Sequence, residues 1–142
     1  MGCREHVAQL CQHEDEFKRL NTEVVVISFG TPTLARTWLE EACAPFTMLL
    51  DQERAVYRAY GLRRSWNVKT AWAYGWLLLR GRKLGDIQED PNQLGGDFIV
   101  DAKGIVRLTY PSRDAADRPS VSDLLGVLRQ LDKERHRAEK EP

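Results

Sequence analysis

The residue best suited to carry out a chemical reaction is Cys3, which begins a segment with helical periodicity. Apolar residues recur at helical spacing up to Leu20, although Glu14 interrupts this stripe, and polar residues fill the other face. A helix N-terminus carries partial positive charge and unpaired amide groups, so it favours the thiolate, the reactive form of cysteine. Arg4 adds positive charge, and His6 lies on the same helix face as Cys3. Cys3 is therefore a candidate nucleophile or redox thiol.

A purely structural role for the three cysteines is the alternative. Cys3 is equally compatible with a small apolar residue near a chain terminus. Cys11 lies in the apolar stripe, which favours a place in the core, and an intact helix would hold it about 12 Å from Cys3, too far for a disulfide. Cys43 would act as a resolving thiol only if the end of its predicted helix moves, and packing is the simpler role.

Other kinds of active site lack their sequence patterns. There is no phosphate-binding loop, no glycine fingerprint of a dinucleotide site and no G-x-S-x-G elbow. His6, His13 and His136 have no spacing suited to zinc. The acidic loop Asp86–Gly96 fits no calcium-binding pattern and is predicted to be a solvated turn. Thiol chemistry remains, and it needs no metal or organic cofactor.

Length and composition predict one domain over residues 1–132, followed by a charged tail, 133–142, that frays into solvent. Basic and acidic residues number 21 each, which argues against a nucleic-acid or anionic-membrane partner. The longest apolar run, Ala71–Leu79, is far short of the roughly 20 residues of a membrane span, and no secretion signal opens the chain. Three cysteines without an export signal indicate the reducing cytoplasm.

Strands alternate with helices along the chain, which predicts an α/β fold with a parallel crossover. The β-branched run Glu23–Phe29 and the apolar run Phe46–Leu50 read as buried strands. A hairpin with Gly104 in its turn follows later, so the sheet would be mixed. The remaining predicted features are a helix over Leu34–Ala44 capped by Thr33, a helix closed by Gly61, hairpin strands Asp97–Val100 and Ile105–Tyr110, and a last helix capped by Ser120 or Ser122.

The segment Arg63–Gly85 holds three of the four tryptophans and is flanked by basic residues. One interpretation is a surface for a membrane or a protein partner, because tryptophan and arginine suit interfaces. The other is an insertion packed over the sheet or lining its pocket. Gly75 and Gly81 weaken a long interfacial helix, which favours the packed insertion.

Five stretches of the chain carry a resemblance to a known family. They are Cys3–Leu10, Val24–Gly30, Phe46–Asp51, Val56–Leu62 and Gln93–Asp101. In this order the chain resembles the AhpC/TSA (alkyl hydroperoxide reductase/thiol-specific antioxidant) group of peroxiredoxin-like proteins, over Cys3 to about Leu131. The resemblance implies a thioredoxin-like fold with a mixed sheet flanked by helices.

The same resemblance implies a function for Cys3. Its thiolate would attack a peroxide or a disulfide, and a reduced thiol donor of the thioredoxin or glutathione type would resolve the product. A homodimer is compatible with the family. The alternatives are a non-catalytic binding module that uses residues 63–85 as its contact surface, or an inactive remnant.

The chain departs from the family pattern around this cysteine. Cys3 aligns with the second cysteine of a Cys-x-x-Cys pair whose first member would precede Met1, and the peroxiredoxin lead-in of Pro and Thr or Ser is absent. Gly95-Gly96 stands where thioredoxin has a cis-proline. The central strand expected between Glu23–Phe29 and Asp97–Val100 is also missing, which predicts a chain truncated at its N-terminus.

Overall fold

The computed structural model describes residues 3–42, 45–64, 93–114 and 116–140. The helices are α1 (Cys3–Gln12), α2 (Glu14–Arg19), α3 (Pro32–Glu41), α4 (Ala55–Ala59) and α5 (Val121–Ala138). The strands are β1 (Val25–Ser28), β2 (Thr47–Leu50), β3 (Gly96–Val100) and β4 (Val106–Pro111). The predictions for Cys43, for most of the tryptophan-rich segment and for most of the acidic loop lie outside the described residues.

The strands form one parallel and one antiparallel pair. β1 and β2 are parallel, with Val25 opposite Thr47 and Ser28 opposite Leu50, and α3 connects them. This confirms the predicted crossover. β3 and β4 form the predicted hairpin, whose turn contains Gly104 at φ 79°. In the described part of the chain, β1 and β3 are not hydrogen-bonded to each other, so the predicted mixture of parallel and antiparallel pairing is divided between two separate pairs.

Among the described residues, one apolar cluster connects the two strand pairs. Its buried members come from α1, α2, α5 and the segments around β2, and they are Val7, Leu10, Phe17, Ala42, Phe46, Val121, Leu124, Leu125 and Leu128. Val26 of β1 and Ile99 of β3 both pack against this cluster. Cys11 is half-buried and also packs against it, as its place in the apolar stripe predicts. Helix packing therefore joins strands that do not share hydrogen bonds.

Two predicted helix boundaries differ from the structure. The segment expected to be one helix up to Leu20 is broken at His13, which separates α1 from α2. The prediction that Thr33 caps α3 is wrong, because Thr31 is the N-cap and its hydroxyl accepts a hydrogen bond from the Leu34 amide at 3.5 Å. Pro32 then occupies the first helical position, where its fixed φ angle suits the helix and its missing N–H costs nothing.

Other predicted boundaries are confirmed. Ser120 is the N-cap of α5, and its hydroxyl accepts a hydrogen bond from the Asp123 amide at 3.1 Å. Gly61 follows α4 with φ 68°, the left-handed conformation expected of a residue that ends a helix. These features depend on neighbouring residues only, which is why the sequence predicts them.

Helix α5 extends further than its apolar stripe. The chain is expected to fray after Leu131, but the helix continues to Ala138. Charged residues in this last part pair along the helix and with β4. Arg135 pairs with Asp132, and Glu134 accepts a hydrogen bond from Arg107 at 2.7 Å. Neither α5 nor any other described helix combines the length and apolar character needed to cross a membrane.

Replacing Gly126, an exposed glycine inside α5, with Ala should stabilise the protein. A Cβ atom built there meets nothing within 4 Å, and Ala is favoured over Gly in a helix interior. We expect the free energy of unfolding in urea to rise by about 0.5–1 kcal/mol. Gly104→Ala is the matched control, because its Cβ also meets open space but φ is 79°. We expect that control to be destabilised by about 1–2 kcal/mol, and stabilisation of both variants would contradict this interpretation.

Candidate functional site

The thiol of Cys3 lies beside a buried cation. Cys3 is exposed at the first position of α1, and Arg118 lies just before α5. The Nη2 atom of Arg118 donates a hydrogen bond to Sγ of Cys3 at 2.7 Å. The Arg118 side chain is only 9% exposed, so its charge is poorly screened by water. The arrangement brings the sulfur of an exposed cysteine and a fixed positive charge into contact.

Two further side chains complete a closed network. The Nη1 atom of Arg118 lies 3.3 Å from Oδ2 of Asp97 in β3. The other oxygen of Asp97, Oδ1, lies 2.8 Å from Nε2 of His6, whose side chain is 4% exposed. Because Cys3 and His6 both belong to α1, the contacts form a loop through three segments of the chain. We call Cys3, Arg118, Asp97 and His6 the Cys3 network.

Helix and strand periodicity explain why these side chains meet. On α1, Cys3, His6 and Leu10 are spaced three and four residues apart and therefore share one face. On β3, Asp97 and Ile99 lie on one face of the strand because side chains alternate with a period of two. Ile99 packs against the core beside α1, so Asp97 lies on the face that α1 covers.

Burial and neighbouring charges act in opposite directions on the pKa of Arg118. Burial alone would lower the pKa of the guanidinium, since it penalises the charged form. The negative charges and hydrogen bonds of Cys3 and Asp97 outweigh that effect and raise the pKa of Arg118 above its ordinary value. Arg118 is thus a permanent cation at this site.

Gly95 leaves the space that the Arg118 guanidinium occupies. A Cβ atom at position 95 would lie 2.6 Å from Nη2 and 2.9 Å from Nη1 of Arg118. At Gly96 a Cβ would lie 2.9 Å from the backbone oxygen of Tyr110 and 2.8 Å from Leu62. No cis peptide bond occurs among the residues that the structure describes. Gly95 therefore admits the arginine side chain, whereas Gly96 permits the close approach of Leu62 and the Tyr110 backbone.

The segment that leads to Arg118 is held to β4 by Asp117. The Tyr110 hydroxyl donates a hydrogen bond to Oδ1 of Asp117 at 2.7 Å, and the Arg113 amide donates to Oδ2 at 2.8 Å. The bond from the Arg113 amide, followed by the bond from Tyr110, lowers the pKa of Asp117 below its ordinary value. Asp117 thereby fixes the backbone next to Arg118.

Tyr57 also belongs to the electrostatic surroundings of Cys3. Its hydroxyl donates a hydrogen bond to the Ile27 carbonyl at 2.9 Å, and its ring makes an edge contact with Phe29. Burial raises the pKa of Tyr57, and negative charge at Cys3 raises it further. The phenol therefore stays protonated near the thiol.

The predicted helpers of Cys3 have other partners. Arg4 was expected to add positive charge at the thiol, but its guanidinium pairs with Glu41 of α3. His6 lies on the helix face of Cys3, as predicted, but its Nε2 atom contacts Asp97. The role of Cys3 itself stays a prediction.

Sequence reasoning missed Arg118 and Asp97 as site residues. Asp97 follows Gly95-Gly96 in one of the stretches that carry the family resemblance, which was a usable signal. Arg118 precedes Pro119 and the Ser120 cap in a loop with no periodic pattern, and it is 115 residues from Cys3 in the sequence. Only the tertiary fold reveals this pairing.

Comparison with known proteins adds one match. A family model described as "AhpC/TSA antioxidant enzyme" matches residues 9–116. The matched range begins after Cys3 and His6 and ends before Arg118, so Asp97 is the only member of the Cys3 network inside it. No curated protein is similar enough to the chain to give a significant match.

Replacing Gly95 with Ala should displace Arg118 from Cys3 without altering any side chain of the network. The added Cβ would overlap the end of the guanidinium, which can swing away because the arginine side chain is flexible. We expect iodoacetamide to alkylate Cys3 about three- to tenfold more slowly than in the wild type at pH 7. The reaction is monitored by mass spectrometry of the Cys3 peptide. Gly126→Ala is the control and should react like the wild type. An unchanged rate in Gly95→Ala would show that Arg118 does not set the reactivity of this thiol.

Replacing Asp117 with Asn should reduce the acid sensitivity of folding. Because the folded-state pKa of Asp117 is lowered, its carboxylate stabilises the protein above the unfolded-state pKa of about 3.9. That contribution is lost as the pH falls through the lower folded-state pKa. We expect Asp117→Asn to be less stable than the wild type at pH 7 in urea, with a difference that narrows below about pH 4. Tyr110→Phe should show a smaller difference at pH 7, and a difference independent of pH would contradict the prediction.

Proposed function

Because the chain belongs to the AhpC/TSA antioxidant enzyme family, which has a thioredoxin-like α/β fold, we propose that it is a thiol-dependent oxidoreductase. In this proposal Cys3 is the reacting thiol, and peroxides or disulfides are its substrates. The family match supports the general class, while the specific role of Cys3 is argued from its surroundings.

The contact between Arg118 and Cys3 is the observation that carries the proposal. Nucleophilic attack requires the thiolate, and a neighbouring cation stabilises that form. Arg118 donates to Sγ at 2.7 Å from a nearly buried position, while Cys3 itself is exposed to a substrate. A cysteine with a purely packing role would need neither an exposed position nor a nearly buried cation beside its sulfur.

The proposed reaction with a peroxide has two stages. In the first, Sγ of Cys3 attacks the terminal oxygen, the O–O bond breaks, and the other oxygen leaves as an alkoxide or hydroxide that takes a proton from solvent. Sulfur loses two electrons and becomes a sulfenic acid. Arg118, already within hydrogen-bond distance of the sulfur, is suited to stabilise the negative charge that develops on the departing oxygen.

The second stage restores the thiolate. A thiol donor attacks the sulfenic acid and forms a mixed disulfide with Cys3, releasing water. A second donor thiol attacks that disulfide, releases the Cys3 thiolate and carries away the oxidised donor. We propose a donor of the thioredoxin or glutathione type and a reducing compartment such as the cytoplasm, where such donors are kept reduced. For a disulfide substrate, Cys3 would enter directly at the mixed-disulfide stage.

A peroxidase assay with hydrogen peroxide and an organic hydroperoxide, with dithiothreitol as donor, tests this function. Cys3→Ser should have no activity, because serine is not an effective nucleophile here. Arg118→Met should lower kcat/KM by about 10- to 100-fold, since the cation beside the reacting sulfur is lost. Arg4→Met is the matched control, because Arg4 adjoins Cys3 in sequence but is exposed and paired with Glu41.

The assay has clear contrary outcomes. Equal activity in the wild type and Cys3→Ser would refute the role of Cys3. No activity in the wild type with either peroxide, or with a disulfide substrate, would refute the oxidoreductase function and favour the binding module expected from the tryptophan-rich segment. Equal decreases of kcat/KM in Arg118→Met and Arg4→Met would show that Arg118 has no specific role in the reaction.

A further inference from the structure

We propose that His6 and Asp97 are positioning residues that direct the Arg118 guanidinium to the Cys3 sulfur, and that His6 does so by preventing a bidentate pair between Arg118 and Asp97. The inference rests on the proposed function only for its effect on peroxide reduction. Its physical content concerns the reactivity of Cys3, which can be measured without a peroxide.

The shape of the Arg118 guanidinium links its two contacts. Its nitrogen atoms lie in one rigid plane, so the contact made by Nη1 fixes the direction in which Nη2 points. Nη1 lies 3.3 Å from Asp97 and Nη2 lies 2.7 Å from Cys3. The contact of Nη1 with Asp97 thus orients the guanidinium so that Nη2 points to the Cys3 sulfur.

A carboxylate beside an arginine commonly engages both arms. Bidentate pairing adds a second charge-assisted hydrogen bond and is the favoured geometry for Arg and Asp. At Asp97 the second oxygen is already occupied, because Oδ1 lies 2.8 Å from Nε2 of His6. Nη2 of Arg118 is therefore left for Cys3. Without His6, Oδ1 would be available to Nη2, and the guanidinium would turn away from the sulfur.

The burial of His6 supports this role. His6 is 3% exposed and occupies the core-facing stripe of α1 beside Val7 and Leu10, where a leucine would continue the apolar pattern. A buried imidazole must offset the loss of its hydration through hydrogen bonds. Within the described residues Nδ1 has no partner, so the bond to Asp97 is the one that compensates. Since the carboxylate accepts, Nε2 carries the proton.

A double-mutant cycle on Cys3 alkylation tests the proposal. The rate with iodoacetamide at pH 7 is measured on the Cys3 peptide for the full chain carrying His6→Leu, Arg118→Met or both. We expect His6→Leu to slow alkylation about three- to tenfold when Arg118 is present, and to have no effect in the Arg118→Met background. His6→Gln keeps a donor toward Asp97 and should restore the rate to within about twofold of the wild type.

Several outcomes would overturn the proposal. They are an unchanged rate in His6→Leu, a failure of His6→Gln to restore the rate, or an equal effect of His6→Leu in both backgrounds. Should His6→Leu fail to fold in a urea titration, His6→Met supplies the same loss of the donor with a side chain that adapts to irregular space. Non-additive alkylation rates in a protein that reduces neither peroxides nor a disulfide substrate would uphold the positioning roles and reject the proposed function. Failure of the positioning proposal and failure of the proposed function are therefore distinguishable.

Discussion

A nearly buried guanidinium determines much of the arrangement around Cys3. An arginine in such a place must find anionic partners, because an unpaired buried charge costs several kcal/mol. Arg118 pairs with the carboxylate of Asp97 on one side and donates a hydrogen bond to the sulfur of Cys3 on the other. This requirement ties together the start of α1, the strand β3 and the segment before α5. It also explains why Gly95 lacks a side chain, since even one carbon atom there would overlap the guanidinium.

Side-chain contacts, including that of His6 with Asp97, connect the parts of the fold that the two separate strand pairs leave unlinked. In a continuous sheet, ladder hydrogen bonds would connect neighbouring strands directly, but among the described residues β1 and β3 share none. Their relative position depends instead on side chains, with Val26 and Ile99 packed against the helical core. The contact of His6 with Asp97 then fixes α1 to β3 through a directional bond. Apolar burial thus places both strand pairs on one core, and the polar contact fixes α1 to β3 near the thiol.

Local features were predictable from the sequence and the network was not. The positive φ of Gly104, the Ser120 cap and the parallel strands follow from residues close in the chain. The prediction of a Thr33 cap is wrong because two threonines flank Pro32, and proline at the first helical position makes Thr31 the N-cap. His6 was correctly placed on the helix face of Cys3, but its partner Asp97 is 91 residues away and no periodicity links them. Long-range pairing of polar groups leaves no local pattern.

The neighbour of the thiol constrains the chemistry that suits this site. A Cys-x-x-Cys site resolves its own intermediates, because a second thiol lies within disulfide distance. Here the partner of Cys3 is a guanidinium, and Cys11 lies eight residues along the same helix, about 12 Å away. A cation can stabilise a thiolate or a departing oxyanion but cannot form a disulfide. The contact between Arg118 and the Cys3 sulfur is therefore suited to stabilising charge, and in the proposed function an external donor supplies the second thiol.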